Sequence, residues 1–214
     1  MKKIFLIIAV LFTINTISQT VTTGNKLIIN HGDITLYLTK DTCTLASKHT
    51  ISYSNFLKLD KERDNRWFQD TYKGKYKKEL FLHTGYDLGH LTPSHITSYD
   101  NDLNHQSFSL FNQAPQLAPF NRGKWAQLEA SVQDSISKYQ HDAIIITGVI
   151  YEGQKKQYLP KSKIPIPISY FKILYIDKLR YCWVGSNING EIIPITLKEL
   201  NELFRLNKMT LKID

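Results

Sequence analysis

Tyr86-Asp87-Leu88-Gly89-His90-Leu91-Thr92-Pro93 opens the part of the chain that decides how it is read. It continues in Phe111-Asn112-Gln113-Ala114-Pro115-Gln116 and in Phe120-Asn121-Arg122-Gly123-Lys124-Trp125-Ala126-Gln127-Leu128-Glu129. The first segment sets a histidine beside a glycine and close to a proline, so its backbone can turn tightly and then be held. The third leads into a helix. Trp125, Leu128, Val132, Ile136 and Tyr139 recur at three- and four-residue steps, and Asn121 suits the N-cap. Asn121 and Glu129 then lie about 12 Å apart along the axis and roughly 80° apart around it. Bridging waters are needed for both to serve one site. A hard, hydrated cation such as Mg²⁺ keeps several waters and takes few protein oxygens, which suits that spacing.

These segments resemble the DNA/RNA non-specific endonucleases of the ββα-metal, or His-Me finger, group. The family pattern is Asp-Arg-Gly-His, then Asn-x-x-Pro-Gln, then Asn-x-Gly-x-Trp-x-x-Leu-Glu. Here it reads Asp87-Leu88-Gly89-His90, Asn112 to Gln116, and Asn121 to Glu129. Three matched segments in one order carry far more than a lone four-residue match. One position departs, since the family's arginine is Leu88 here. The resemblance continues more weakly almost to the C-terminus. It implies an α+β fold with a mixed or antiparallel central sheet, flanking helices and a ββα-metal active-site motif.

The resemblance also implies roles. His90 is the general base, and imidazole has the unperturbed pKa that suits deprotonating water near neutral pH. Asn121 is the direct protein ligand of Mg²⁺, with Mn²⁺ or another divalent cation as alternatives. Glu129 orients water around the ion. Asn112 is a supporting catalytic residue near the reacting phosphate. The phosphate-contacting arginine is best matched by Arg66, beside Trp67, with Arg63 in reserve. Arg122 adds a basic group on the active-site helix, and Lys73 and Lys75, among tyrosines, form a patch able to track a phosphate backbone. Each has a plainer alternative: a solvated face for Arg63, Arg66 and Glu129, a solvated loop for the lysines, and an N-cap for Asn121. His83, His95, His105 and His141 lack comparable company and read as structural or surface groups.

The 214 residues suffice for one domain with a substantial core. At 42% hydrophobic and 21% charged, the chain is of folded globular type rather than disordered. A net charge of +8 biases it towards polyanions: nucleic acid, anionic lipid or polysaccharide. Residues 1–18 read as a secretory signal peptide, with Lys2 and Lys3 before the apolar run Ile4 to Phe12. That run is too short to span a bilayer, and no later run is long enough for a transmembrane helix. The expectation is therefore a leader, a single domain over 19–214, a secreted or periplasmic location and no stable membrane insertion.

Cys43 and Cys182 are the only cysteines. Export makes a disulfide between them as good a reading as two buried thiols. Lys26 to Asn30 and Ile34 to Leu38 flank the turn His31-Gly32-Asp33, a hairpin signal. Ala143 to Val149 reads as a buried strand, and Ile164 to Ile176 and Tyr181 to Val184 continue the sheet. Thr196 with Glu199 forms a capping box for a last helix through Phe204.

Together these readings point to a secreted, Mg²⁺-dependent nuclease acting on DNA and RNA without sequence preference, because phosphate contacts carry no base information. By the resemblance, it leaves 5′-phosphate and 3′-hydroxyl ends. The alternative is a catalytically weakened nucleic-acid-binding protein of the same fold, favoured by Leu88. A third reading, an exported toxin nuclease, would add an inhibitor protein as partner. No sequence feature specifies an oligomeric state.

Overall fold

The computed structural model describes residues 21–23, 26–39, 43–59, 62–68, 77–152, 157–209 and 211–213. The expected signal peptide, and Lys73 and Lys75, lie outside these residues. The centre is a seven-stranded antiparallel sheet. Its order is Ile192–Pro194, Leu179–Ser186, Ser169–Ile176, Ala143–Ile150, Thr44–Ile51, Ile34–Thr39 and Lys26–His31. Hairpins join neighbouring strands on both sides of the sheet: Gly32, at φ +58°, makes the turn between Lys26–His31 and Ile34–Thr39, and Asp177, at φ +50°, sits in the turn between Ser169–Ile176 and Leu179–Ser186. The two middle strands are apolar on both faces, as the run Ala143 to Val149 implied, because helices cover both sides of the sheet.

One face carries the helix Ala126–Tyr139. Its Trp125, Leu128, Val132 and Ile136 pack on Leu45, Ile51, Ile145, Val149, Tyr170 and Leu174. The opposite face carries Leu197–Leu206, whose Leu200 and Phe204 pack on Ala46, Ile146, Phe171 and Ile173. Ile145 and Ile146, adjacent in sequence, thus serve opposite faces, as pleating demands. The last helix begins as the capping box requires: Glu199 N–H donates to Thr196 Oγ1, and Thr196 N–H to Glu199 Oε2.

In the strand Ala143–Ile150, held between Ser169–Ile176 and Thr44–Ile51, the packing leaves no room for a Cβ at position 148. A methyl on Gly148 would lie 2.4 Å from Phe171 and 2.5 Å from the Leu45 carbonyl oxygen. Cys43 and Cys182 are buried thiols, not a disulfide. Burial pushes the Cys182 thiol up to about 12. Among the described residues no helix is long and apolar enough to cross a membrane.

Above the face that carries Ala126–Tyr139 sits a smaller unit. Strands Tyr86–His90 and Gln113–Leu117 pair antiparallel, and the chain passes straight from the second into the helical stretch that starts at Ala118. This is a ββα arrangement, as expected. Its start differs from expectation in one respect. Asn121 is not an N-cap: the helical run begins at Ala118 with Pro119 in its first turn, and Asn121 has helical φ and ψ. Proline fixes the helical φ without needing a hydrogen-bond donor, so it starts the helix one turn early.

Candidate active site

Residues 121–125 form a widened, π-type turn between the short helical start and the long helix, with Gly123 at φ −107°, ψ −109°. Such turns are irregular hydrogen-bonding sites within helices. Here the irregular turn joins Asn121 and Arg122 to a helix whose first turn carries Glu129. All three line one cleft of about 500 Å³, together with Arg63, Trp67, Lys78, Asp87, Leu88, His90, Pro93, Ser94 and His95. Two of the matched segments, far apart in sequence, therefore meet at one place, and the third supports it from below.

The strand Tyr86–His90 presents its residues alternately. Leu88 and His90 share a side, while Gly89 faces Gln116, where any Cβ would come within 2.3 Å of the amide oxygen. The His90 ring lies 5.1 Å from Trp67 and 5.0 Å from Phe108, edge-on to the latter. Its Nε2 is buried without a protein hydrogen bond, so Nδ1 is the nitrogen left to the cleft. Burial, and then the charge of Arg63, lower the His90 pKa to about 3, so the imidazole is neutral across the physiological range.

Asp87, which the sequence reading used only as part of a motif, organises the other side. Asn121 Nδ2 donates to its Oδ2 at 2.9 Å, and Arg122 binds it with two donors at 2.9 and 2.7 Å. Burial works against the charge of Asp87, yet these bonds hold its carboxyl below the usual range. With its nitrogen turned to a carboxylate, Asn121 has its amide oxygen as the remaining acceptor at the cleft. That oxygen, with Glu129 nearby on the same lining, fits a hydrated divalent cation that takes one neutral protein oxygen and several waters. Among the described residues there is no cluster of three His, Cys, Asp or Glu side chains that could enclose an ion directly.

Glu129 is one-fifth exposed, with Oε1 3.6 Å from the buried Lys172 ammonium. Burial pushes its carboxyl up, while Lys172 and Trp125 act in the opposite sense. Lys172 was not singled out from the sequence. Its signal is a lysine inside the apolar strand Ser-Tyr-Phe-Lys-Ile-Leu-Tyr-Ile, at a position whose neighbours all face the core.

The two candidate arginines exchange places. Arg66 does not line the cleft: its side chain is 80% exposed and forks onto Asp64, with bonds of 2.6 to 3.1 Å. Arg63, the reserve, lines the cleft, with its guanidinium 5.3 Å from the centre of the Phe108 ring. No helix forms around these arginines. Asn104 Oδ1 takes the Asp64 N–H and Asp64 Oδ1 takes the Arg66 N–H, so side chains capture the backbone donors a helix would need. Asn112 is fully buried and does not line the cleft. It accepts from Thr92 N–H and donates to the carbonyls of Thr92 and Ser107, clamping the turn that follows His90. His95, read as a structural or surface group, is exposed but on the rim of this cleft. His105 is as expected, bonded to Asp64.

The sequence model of the DNA/RNA non-specific endonuclease family matches residues 13–211. A nuclease from Nostoc sp. is 27% identical over 135 residues, covering 61% of this chain and 48% of that protein. Human mitochondrial endonuclease G is 26% identical over 103 residues, covering 44% of this chain and 34% of its own length. Nuclease C1 of Cunninghamella echinulata is 26% identical over 104 residues, with 44% and 41% covered. The chain thus spans half or less of the length of these relatives. In fold it is similar to the EndoG/EndoGI complex structure, with a TM-score of 0.73 at 18% identity, covering 87% of this chain and 86% of the other.

Proposed function

The chain belongs to the DNA/RNA non-specific endonuclease family, and from that premise we propose that it hydrolyses phosphodiester bonds in DNA and RNA, with a divalent cation as cofactor. The observation that carries the reading is the single cleft lined by His90, Asn121, Glu129 and Arg63. Neutral His90 accepts the proton of the attacking water at Nδ1. Substrate brings negative charge next to a ring that burial now keeps unprotonated, which raises its proton affinity when it is needed. Arg63, and the outward donors of Arg122, hold the phosphate against the cleft. Asn121 would hold the cation through its amide oxygen, its side chain fixed by Asp87, and Glu129 would orient water beside it. When bound, the cation supplies positive charge for the crowded phosphate and the departing oxygen. Arg66, on the exposed rim, contributes to attraction rather than to the chemistry.

Mg²⁺ is the ion we assign, because one amide oxygen plus waters is a hard, open ligand set. Export belongs to the same reading, supported by Lys2, Lys3 and the apolar run behind them. Lys73 and Lys75 add affinity for the backbone, and an inhibitor protein is a partner that such an exported enzyme would meet. A binding protein without turnover is the competing reading, favoured by Leu88, which lines the cleft and offers no charge. Digestion of plasmid DNA and of RNA by purified protein, with Mg²⁺ and again with chelator, separates the two. A demonstrably folded sample that cuts neither substrate over a range of divalent ions refutes the enzyme.

A further inference from the structure

Lys172 sits at the centre of the strand Ser169–Ile176, 1% exposed, on the face covered by the active-site helix. Its Nζ donates to Thr147 Oγ1 at 2.7 Å, lies 3.6 Å from Glu129 Oε1 and stands 5.0 Å from the centre of the Trp125 ring. Thr147 is its partner on the next strand, and Ser47 is the partner of Thr147 on the strand beyond. Ser47 Oγ in turn lies 2.6 Å from Thr92 Oγ1, whose backbone Asn112 clamps. A polar row therefore crosses the sheet beneath the cleft, from Glu129 to the turn behind His90.

Packing does not require an ammonium there. A methionine has similar length and would suit the surrounding Trp125, Tyr170 and Leu174 better, since a buried charge costs more than an apolar side chain of equal volume. What the ammonium adds is direction. Thr147 fixes its position, and it draws one oxygen of Glu129 inward, leaving the other for the cleft that Glu129 lines. Without it, the glutamate side chain has no charged partner to choose among its rotamers.

Resting on the role of Glu129 proposed above, we propose that Lys172 is a positioning residue: from inside the sheet it holds Glu129 in the orientation that serves the reacting water. It touches neither substrate nor cation, and it acts only through Glu129.

The test is a double-mutant cycle with purified full chain on a defined DNA duplex and Mg²⁺, read as kcat and KM. Glu129→Gln sets the size of the Glu129 contribution. Lys172→Met is expected to lower kcat by about tenfold or more and to change KM by less than about twofold. The double variant is expected to match Glu129→Gln within about twofold, because two residues acting as one unit do not add. Losses that multiply in the double variant, or a folded Lys172→Met that keeps its kcat, overturn the proposal. Should Lys172→Met not fold, Thr147→Val keeps the lysine and removes its anchor. It must then lower kcat with Glu129 present and leave kcat unchanged in the Glu129→Gln background, and any other pattern overturns the proposal. If Glu129→Gln itself retains full kcat, the role of Glu129 fails and Lys172 with it. That outcome is read from a different arm than a failure of Lys172 alone.

Discussion

Replacing Leu88 by arginine tests how this cleft handles phosphate with an apolar group where the family has a guanidinium. Leu88 is half-buried, packed among Trp67, Tyr86 and the cluster of Phe81, Leu110, Leu159 and Ile164, and it also lines the cleft. Full burial of a leucine is worth about 1.5–3 kcal/mol, so half of it puts about 1 kcal/mol at risk. The methylene stem of arginine can cover part of the same surface while its head reaches the cleft. The expected fall in melting temperature is therefore about 2–4 °C for a chain of this size. The gain is one phosphate contact. For duplex DNA that steepens the slope of log affinity against log salt by about 0.9. Between 50 and 200 mM salt, affinity should then fall about 3.5-fold more than in the parent. Asp87 lines the same cleft, but both its oxygens are already bound by Arg122 and Asn121, which leaves the new guanidinium to the phosphate. Fluorescence anisotropy with a labelled duplex measures this, in a His90→Ala background so that the DNA stays intact. An unchanged slope, or a melting temperature lowered by more than about 10 °C, refutes the argument and makes Leu88 a core residue that faces the cleft by accident.

His90→Ala should lower kcat by about 10²-fold or more with DNA binding retained, whereas Asn121→Ala should regain part of its activity as Mg²⁺ is raised; equal responses of the two to Mg²⁺ would mean their roles are misassigned. Acid should destabilise the fold between about pH 6.5 and 4. His49 and His90 have pKa values lowered to about 3, so over that window the unfolded chain binds protons that the folded chain refuses, and stability falls with pH. Each contributes up to about 1.4 kcal/mol per pH unit, partly offset by Glu129, whose raised pKa has the opposite sign. Urea midpoints that stay level from pH 7 to 5 would contradict this. Gly148→Ala should cost about 1–3 kcal/mol in a thermal or urea melt, since its methyl meets Phe171 and a backbone carbonyl that cannot move aside; a near-neutral result would show that the sheet yields there.

Signals that act over one to four residues were legible in the chain alone. Thr196 with Glu199, the turn at Gly32 and the apolar run at Ala143 each state their own local geometry, and each forms as read. The three matched segments were legible for a related reason: each holds a local backbone shape that the ββα unit needs, such as Gly89 against Gln116. Contacts between segments were not. Arg63 and Arg66 are near-equivalent in sequence, and Asp64 decides between them by taking Arg66 for itself. Asn112 reads from sequence only as a supporting residue near the phosphate, and its three backbone partners, around the turn after His90, appear only in the fold. Asn121 suited an N-cap, but Pro119 starts the helix a turn earlier, and Asp87, from the paired strands, takes its amide nitrogen and leaves its oxygen to the cleft. Lys172 meets Glu129 only because antiparallel register sets it on the face beneath the active-site helix, and a shift of one residue would turn it to the other side. Propensity and capping depend on neighbours along the chain, whereas charge pairing and desolvation depend on neighbours in space, and those exist only once the sheet has set its register.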